Sequence, residues 1–556
     1  MTKQALILNM TRMGDLAQTV PLLSRLNHEW PGVAIDLVVD RSFASMAALL
    51  PGLRQILAYD FQGLLDLTRT GARDVLSLYH DVAGWARPLT DVGYDRVINL
   101  TFNRRSGLLA AYIGAGDTRG VTATPDGMSV VKNPWLTYFT DLHQYRRFNR
   151  FNLVDLYALG GSGPGPHAPL NLSVTPAATE WAARFLQANA AAHSKVAVQI
   201  AASDPIKAWR PEYFGHTMAA MSRRIPVTFV LIGTPGEAHA AEQAVAVYQA
   251  AGGMGSICNA VGQTDLRQLV GLLAQCRLLL TNDTGPMHLA VGMGTPVIDL
   301  SVGHVDFQET GPYGSGHWVI QPDLGCAPCG FDQICPHHAC KDRLVPEHVA
   351  ALCLHVLGAG PFPSHWTGVR VYESVVDEDG LISYQLRAGQ ADAMTDWYGT
   401  FWRTFWYEAF TGRPSRVKCD DCPFDIANER SLFERLAPRL KRVVDQIETL
   451  VRLSRQRPLP AAALKAAQVR LAEERQEGIA QALTSPAFAP IAVALLRELH
   501  NCDTADLQTM AKQQAMAYRR WSDRVTAIMG KLTHERSHSG VHSSQARKLN
   551  MPLLAF

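Results

Sequence analysis

The feature that most constrains the fold is an alternation, over residues 1 to about 355, of short apolar runs with helix-like segments. Strands that alternate with helices build parallel sheets through βαβ units. Several of the runs are apolar nearly throughout, as expected of strands that helices cover on both faces. They are Ala5–Met10, Ile35–Val39, Arg96–Leu100, Val196–Ile200, Val227–Ile232, Leu278–Leu280 and Val297–Leu300. The alternation therefore predicts an α/β fold.

A glycine- and proline-rich segment, residues 160–166, divides this region into two parts. Such a composition breaks helices and is typical of a flexible connection between domains. We therefore predict two α/β domains, one over residues 1–165 and one over residues 166–358.

The pattern changes after Pro361-Phe362-Pro363. Two strand-like runs, Val369–Val376 and Leu381–Leu386, flank Asp377-Glu378-Asp379-Gly380, which is the pattern of a β-hairpin. Residues 359–390 are accordingly predicted to form a hairpin or linker.

From residue 391 onward, apolar residues recur at alternating steps of three and four. This spacing predicts a helical extension over residues 391–533, whose apolar stripes either form a bundle core or bind a partner. Pro438 should either kink the first long helix or begin it. Residues 534–556 are rich in Ser, His and Arg, and we predict a flexible tail.

The charge and hydropathy of the chain argue against two classes of partner. A net charge of +2 over 556 residues gives no electrostatic case for nucleic acid. No apolar run approaches the roughly 20 residues that a membrane helix needs, and the run at Ala5–Leu8 is too short for a signal peptide. We expect a cytoplasmic protein with at most peripheral membrane contact, and the sequence leaves its oligomeric state open.

A turn at Thr281–Ala290 combines the end of an apolar run with the start of a helix. Asp283 and Thr284 are good N-cap residues, and Pro286 suits a first helical turn. Free N–H groups and the helix dipole then meet at one point, which suits a phosphate, and His288 could add a donor. An ordinary βα loop with a buried histidine fits the spacing equally well.

Charged residues also follow two strands of the first domain. Asp15 lies after the first strand, at the edge where open α/β sheets bind ligands, and could act as a general base. Its position alone favours a helix cap. Arg104 and Arg105 follow the strand ending at Leu100 and could bind an anionic ligand, or form an exposed basic loop.

Several short motifs resemble the ADP-heptose:lipopolysaccharide heptosyltransferase family, glycosyltransferase family 9. In chain order they are Arg12-Met13-Gly14-Asp15 with Pro21-Leu22-Leu23, Lys207-Ala208-Trp209, Leu231-Ile232-Gly233 with Glu237, Gly262-Gln263-Thr264-Asp265-Leu266, Asp283-Thr284-Gly285-Pro286-Met287-His288, and Gly311-Pro312-Tyr313-Gly314 followed by a cysteine cluster. The resemblance covers residues 4 to about 355.

The resemblance implies a GT-B fold, in which two Rossmann-like domains face each other across a cleft, here with a mainly α-helical C-terminal extension. It implies an inverting transfer of a heptose or similar sugar from an ADP-sugar, with ADP-heptose as the favoured donor, to a hydroxyl of a lipopolysaccharide core or other glycoconjugate. This transfer is expected at the inner face of the inner membrane. Two alternatives remain open: a protein acceptor recruited by the helical extension, and a catalytically silent scaffold. The presence of Asp15, Lys207 and His288 favours an enzyme.

The resemblance also assigns roles to individual residues. Asp15 matches the catalytic base of the family, and we expect Arg12, Arg104 and Arg105 on the acceptor side. The donor-binding positions are Ser203, Lys207, Glu237, Asp283, Thr284, Gly285 and His288. In the loop that precedes Ser203 the family has a glycine, whereas this chain has Ile200-Ala201-Ala202.

We expect no metal in the transfer step, because a lysine and oriented N–H groups can stabilise a diphosphate leaving group. A separate cluster of four cysteines follows the second domain's last motif: Cys326, Cys329, Cys335 and Cys340. Four thiolates at this spacing can bind zinc or iron, and relatives that the chain resembles carry iron there. We predict a structural metal, with reduced thiols as the alternative.

Overall fold

The structure is a computed structural model, which describes residues 2–61, 63–64, 74–191, 193–331, 334–456, 458, 460–502 and 507–534. Two compact units make up the chain. The first unit comprises Met1–Thr122 and Arg150–Ala391, and the second comprises Ala123–Asn149 and Asp392–Phe556. Apart from His534, the predicted tail lies outside the described residues.

The elements are numbered in chain order. The strands are β1 (Gln4–Leu8), β2 (Ala34–Asp40), β3 (Gln55–Tyr59), β4 (Arg96–Asn99), β5 (Asp117–Ala123), β6 (Ser129–Lys132), β7 (Ser194–Gln199), β8 (Val227–Ile232), β9 (Ser256–Asn259), β10 (Leu278–Asn282), β11 (Val297–Leu300), β12 (Trp318–Pro322), β13 (Val369–Val376) and β14 (Ile382–Ala388). The helices are α1 (Met13–Ala17), α2 (Val20–Glu29), α3 (Ala44–Ala47), α4 (Val75–Asp91), α5 (Arg104–Ile113), α6 (Pro134–Asp141), α7 (Leu153–Gly161), α8 (Pro176–Asn189), α9 (Pro211–Ser222), α10 (Ala238–Ala250), α11 (Leu266–Leu273), α12 (Gly285–Gly292), α13 (Phe307–Thr310), α14 (Ala339–Arg343), α15 (Pro346–Val356), α16 (Ala393–Thr411), α17 (Ala427–Ser454), α18 (Ala461–Leu483), α19 (Ala489–His500) and α20 (Leu507–His534).

The first unit contains two sheets, of which the first is parallel and the second has antiparallel strands at one edge. The strands that this unit contributes to the first sheet have the order β3-β2-β1-β4-β5. Strand β1 pairs in parallel with both β2 and β4. The second sheet has the order β14-β13-β12-β11-β10-β7-β8-β9, and β7 to β12 pair in parallel. Both sheets place β1 and β10, whose carboxyl ends carry the predicted motifs, at interior positions.

These sheets confirm the predicted α/β class with two Rossmann-like domains. Strands β7, β8 and β10 are buried because helices cover both faces, and the apolar runs reflect this. The predicted hairpin is present as β13 and β14, which pair antiparallel. It joins the second sheet through β12 as an antiparallel edge, so residues 359–390 belong to this domain in part.

The glycine-rich segment 160–166 differs from the flexible linker predicted for it. Gly161 ends helix α7, where a Cβ would overlap the side chain of Leu22. The buried guanidinium of Arg25 donates hydrogen bonds to the carbonyls of Gly163, Gly165 and Pro166, at 2.6–2.9 Å. Arg25 thus fixes this connection to helix α2.

The second unit is mainly helical, and α16 to α20 confirm the predicted extension. Residues 123–149 also belong to this unit. Within it, Trp135 packs on Phe410 with ring centroids 5.0 Å apart. Pro438 lies inside α17, which continues from Ala427 to Ser454. None of the helices that the structure describes is both long and apolar enough to cross a bilayer.

Candidate functional site

The N-terminal ends of α1 and α12 contact each other, and two glycines permit the close approach. A Cβ on Gly14 would lie 3.0 Å from Cδ2 of His288, and a Cβ on Gly285 would overlap the side chain of Met13. The loops that follow β1 and β10 therefore meet at one cleft between the two sheets, which is the arrangement that the GT-B fold requires.

Asp15 lies in the first turn of α1, where it is half-buried. Its Oδ2 accepts a hydrogen bond from the backbone N–H of Arg12 at 3.2 Å, so the carboxylate does cap the helix. The Asp15 carbonyl accepts from the side chains of Asn9 at 3.2 Å and Thr19 at 3.1 Å. These contacts hold the residue in place, and its role as a base stays a prediction.

Lys207 contacts the turn after β10 directly. Its Nζ donates a hydrogen bond to the carbonyl oxygen of Asp283 at 3.0 Å. The side chain of Asp283 is buried, and its Oδ2 accepts from the hydroxyl of Thr310. Thr284 is the N-cap residue of α12, but no side chain caps this helix. In the first turn Pro286 has no N–H and the N–H of Met287 donates to the carbonyl of Thr284 at 3.0 Å, so the N–H of Gly285 is left for another acceptor.

Asn282, which was not predicted as a site residue, connects the two donor-side loops. Its Oδ1 accepts the backbone N–H of Trp209 at 2.9 Å, and its Nδ2 donates to the carbonyl of Ile200 at 3.0 Å. Because Lys207 lies between these two attachment points, Asn282 positions the lysine loop against β10. A buried polar residue at the end of an otherwise apolar strand is the signal that could have indicated this role.

His288 is the residue at which the charges of the site converge. Burial lowers the pKa of His288, while the carboxylates of Asp283 and Asp15 oppose this shift and Lys207 adds to it. The charges of Asp283, Asp15 and Lys207 therefore all act on His288 in the same cleft. Since burial dominates, the imidazole is neutral near neutral pH.

Gln18 is a second residue that sequence reasoning missed. Its Nε2 lies 3.3 Å from Nε2 of His288, and both side chains are almost fully buried, at 1% and 4% exposure. The contact joins helix α1 of the first sheet domain to helix α12 of the second. Among the described residues, Nδ1 of His288 has no hydrogen-bond partner.

Asp299 on β11 lies beside this site and was not predicted either. It pairs in the sheet with Thr281, it is fully buried, and neither carboxylate oxygen has a partner among the described residues. Burial first, and then the charge of Asp283, raises the pKa of Asp299 well above its usual value. In the sequence, a single aspartate inside an apolar strand is the feature that could have indicated this buried carboxyl group.

The remaining donor-side positions lie at the carboxyl edge of the second sheet. Oε2 of Glu237 accepts the backbone N–H of Thr234 at 2.6 Å, and its Oε1 accepts from Gln199 at 3.5 Å. Ser203 is exposed in the loop after β7. The structure thus holds Glu237 in a local cap, and the donor contacts of Glu237 and Ser203 stay predictions.

A cavity of about 290 Å³ lies at the carboxyl edge of the first sheet, on the predicted acceptor side. Its lining comprises Met10, Asp40, Ser42, Phe43, Phe61, Asn103, Arg105, Ser106 and Leu109. Of the three predicted arginines, the structure brings Arg105 to this cavity, while Arg12 and Arg104 are exposed and do not line it.

The four predicted metal-binding cysteines lie near one another. Burial raises the pKa of Cys329 to about 11, with a further contribution from Cys326, Cys340 and Cys335. In the part of the chain that the structure describes, however, no three His, Cys, Asp or Glu side chains converge at metal-binding spacing. The thiols are therefore not arranged as a preformed metal site, and the metal stays a prediction.

The cysteine segment packs against the lysine loop. Nζ of Lys341 donates to the carbonyl of Pro205 at 2.7 Å, and Arg210 binds the carboxylate of Asp342 through two hydrogen bonds of 2.6 and 3.0 Å. The segment therefore supports the loop that carries Lys207, which fits a structural role.

Residues 82–338 match the family model described as Glycosyltransferase family 9 (heptosyltransferase). Just under half of the chain is thus similar to glycosyltransferase family 9. The matched residues include the donor-side positions from Ser203 to His288, while Asp15 precedes them and Cys340 follows them.

The individual proteins that the chain resembles are named as heptosyltransferases. Over 97 residues, 17% of its length, this chain is 34% identical to lipooligosaccharide heptosyltransferase 2 of Campylobacter jejuni, and the match spans 29% of that protein's length. Lipopolysaccharide core heptosyltransferase OpsX of Haemophilus influenzae is 21% identical over 323 residues, 56% of this chain and 82% of that protein. The solved structure of E. coli ADP-heptose lps heptosyltransferase II has a TM-score of 0.47 at 18% identity, over 64% of this chain and 98% of that one.

Proposed function

We propose that this protein is an inverting glycosyltransferase that moves a heptose from ADP-heptose to a hydroxyl of a lipopolysaccharide core or related glycoconjugate. The observation that supports the proposal is the contact of α1 with His288 of α12, beside the hydrogen bond from Lys207 to Asp283, in a chain similar to glycosyltransferase family 9. The reaction would take place in the cytoplasm, at the inner face of the inner membrane.

The donor diphosphate is expected at the N-terminus of α12. The N–H of Gly285 and the positive end of the helix dipole favour an anion there. Lys207 reaches the same turn with one of its three ammonium protons on the carbonyl of Asp283, which leaves two for phosphate oxygens. Both features can stabilise the charge that develops on the leaving group.

In the transfer step, a hydroxyl oxygen of the acceptor attacks the anomeric carbon of the donor sugar. The bond from that carbon to the phosphate oxygen breaks, and ADP leaves with the electron pair. The hydroxyl proton passes to the carboxylate of Asp15, which general-base catalysis requires within hydrogen-bonding reach. A single direct displacement inverts the anomeric centre, and charge stabilisation by Lys207 makes a metal unnecessary.

The acceptor is expected in the cavity of the first sheet. Its aromatic and apolar side chains can contact a sugar or lipid portion, while Arg105 offers a guanidinium to an anionic group such as a phosphate. A protein acceptor would also need a surface outside this cavity. The lining of the cavity itself does not favour a protein over a glycolipid.

The proposal is tested by incubating the protein with ADP-heptose, ADP-glucose, UDP-glucose or GDP-mannose and recording its melting temperature. We expect ADP-heptose to give the largest increase, because a ligand that binds the native state stabilises it. The protein and ADP-heptose are then combined with a heptose-deficient lipopolysaccharide core, and the anomeric configuration of the product is read by NMR. Absence of transfer to this core, or a product that retains the donor configuration, contradicts the proposal.

A further inference from the structure

The second unit contains a cavity of about 540 Å³ that belongs to none of the sites described above. Helices α6, α16, α19 and α20 form its walls. Its volume lies within the range of about 300–1,000 Å³ typical of small-molecule sites. The cavity therefore has the size of a binding site for a sugar or another small ligand.

Aromatic side chains form one wall of this cavity. The rings of Trp406 and Phe410 stack with centroids 5.0 Å apart, and Tyr138 lies edge-on to Trp406 with centroids 6.2 Å apart. All three residues line the cavity. Rigid aromatic faces of this kind give a ligand a large apolar contact area at low entropic cost.

Two buried polar atoms at the cavity lack partners. Trp406 is 1% exposed, and its Nε1 has no hydrogen-bond acceptor among the described residues. Oε1 of Gln513, a second lining residue, likewise has no donor among them. An unsatisfied buried polar group is costly, so a ligand that offers an acceptor to Trp406 and a donor to Gln513 would be stabilised here.

The wall formed by α20 is positively charged, and the guanidinium of Arg524 lies 5.5 Å from the ring centre of Trp406. Glu498 accepts hydrogen bonds from both Arg520 and Arg524, at 2.7–3.0 Å, so two guanidinium groups share one carboxylate. Arg497 and Asp141 form a balanced pair nearby. Arg520 and Arg524 line the cavity with N–H groups to spare, which favours an anionic substituent.

We infer that this cavity binds a sugar carrying a phosphate or carboxylate group. A hydroxyl group both donates and accepts, so neighbouring sugar hydroxyls can satisfy Nε1 of Trp406 and Oε1 of Gln513 together. The apolar face of the sugar ring packs on the aromatic wall, and the anionic group pairs with Arg520 and Arg524. This site is distinct from the transfer cleft, and the inference does not depend on the proposed transfer reaction.

The experiment measures binding of mannose 6-phosphate, mannose and inorganic phosphate to the full chain by calorimetry. We expect mannose 6-phosphate to bind more tightly than either fragment, because it uses both walls. In Trp406→Phe, which keeps an aromatic ring and removes the N–H, its affinity should fall about five- to tenfold. In Arg520→Gln, the preference for mannose 6-phosphate over mannose should largely disappear.

Trp402→Phe is the matched control. Trp402 is a buried indole of the same helix whose Nε1 donates to the carbonyl of Pro486 at 3.0 Å, and it does not line the cavity. The Trp402→Phe variant should bind mannose 6-phosphate with the affinity of the parent chain. The Asp15→Asn variant, which changes the transfer cleft, should also bind mannose 6-phosphate with that affinity. Circular dichroism checks that each variant folds, and Gln513→Leu replaces Trp406→Phe if the latter does not. Equal affinity for inorganic phosphate, no saturable binding, or binding that survives both cavity variants overturns the inference.

Discussion

Gln18 and His288 lie 3.3 Å apart through their Nε2 atoms, although 270 positions separate them in the chain. Each is the main polar contact that the other makes across the cleft, and both are buried. With Gln18 donating, the imidazole accepts at Nε2 and carries its proton on Nδ1, which is the neutral form that the lowered pKa of His288 favours.

Gln18→Leu should therefore destabilise the protein. The substitution leaves both nitrogens of a buried imidazole without a partner, which costs about 1–3 kcal/mol of unfolding free energy. Urea denaturation followed by circular dichroism measures this loss. The control is Gln275→Leu, which removes an exposed hydrogen bond to the carbonyl of Thr179 and should change stability far less. Equal effects of the two variants would show that the contact with His288 contributes nothing.

Asp15→Asn should lower the turnover of the proposed transfer by about 10²- to 10⁴-fold, because the amide cannot accept the hydroxyl proton. The asparagine Oδ1 can still accept the N–H of Arg12, so helix α1 and ADP affinity should be nearly unchanged. Single-turnover kinetics with saturating donor measure the effect. Asp95→Asn, at the amino end of β4, is the control and should keep full activity. An Asp15→Asn variant with near-normal turnover excludes Asp15 as the base.

Lys207→Ala should weaken ADP binding by about tenfold or more, since a charge-assisted hydrogen bond to phosphate is lost. Calorimetry with ADP gives the affinity directly. Lys195→Ala is a matched control, because Lys195 lies at the opposite, amino end of the neighbouring strand β7. If both variants bind ADP like the parent chain, the diphosphate does not lie at Lys207.

The sequence predicts the scaffold of this site well, because its signals are local. Apolar runs indicate β1, β8 and β10, and the turn residues Asp377-Glu378-Asp379-Gly380 indicate the hairpin. Each of these patterns depends on residues only a few positions apart.

Long-range polar contacts could not be predicted in the same way. In the sequence, nothing distinguishes Gln18 from other residues near a helix, because its contact with His288 spans 270 positions. Likewise, Arg25 donates hydrogen bonds to carbonyls about 140 positions away. Segment 123–149 joins the helical unit through side chains such as Trp135, whose partner Phe410 lies far along the chain. No local periodicity encodes such pairs, so the site's positioning residues emerge only from the structure.

The cysteine cluster gives a prediction that concerns composition. Elemental analysis of protein purified without oxygen should give near one zinc or iron per chain, because burial and then the nearby thiols of Cys326, Cys335 and Cys340 raise the pKa of Cys329, and four thiolates can bind either metal. Cys329→Ser should lose the metal, whereas Cys258→Ala, in a strand of the second sheet, should keep it. Metal-free protein with full activity would contradict the prediction.

Asp299 predicts the direction of a pH effect on stability. Its pKa is raised in the folded protein by burial, so the folded state binds its proton more tightly than the unfolded state does. Stability must then fall as the pH rises above the unfolded value of about 4, and the loss continues until the folded pKa is reached. Asp299→Asn removes this titration.

Urea unfolding of the parent chain and Asp299→Asn at several pH values between 5 and 8 separates this contribution from the rest of the protein. We expect the variant to gain stability relative to the parent chain as the pH rises, because only the parent must bury an increasingly unfavourable carboxyl group. The charges of Asp283 and Lys207 act on ionised Asp299 in the parent chain alone, so the difference reports burial together with these two interactions. A difference that stays constant across this range would mean that Asp299 titrates normally and that a partner satisfies its carboxylate.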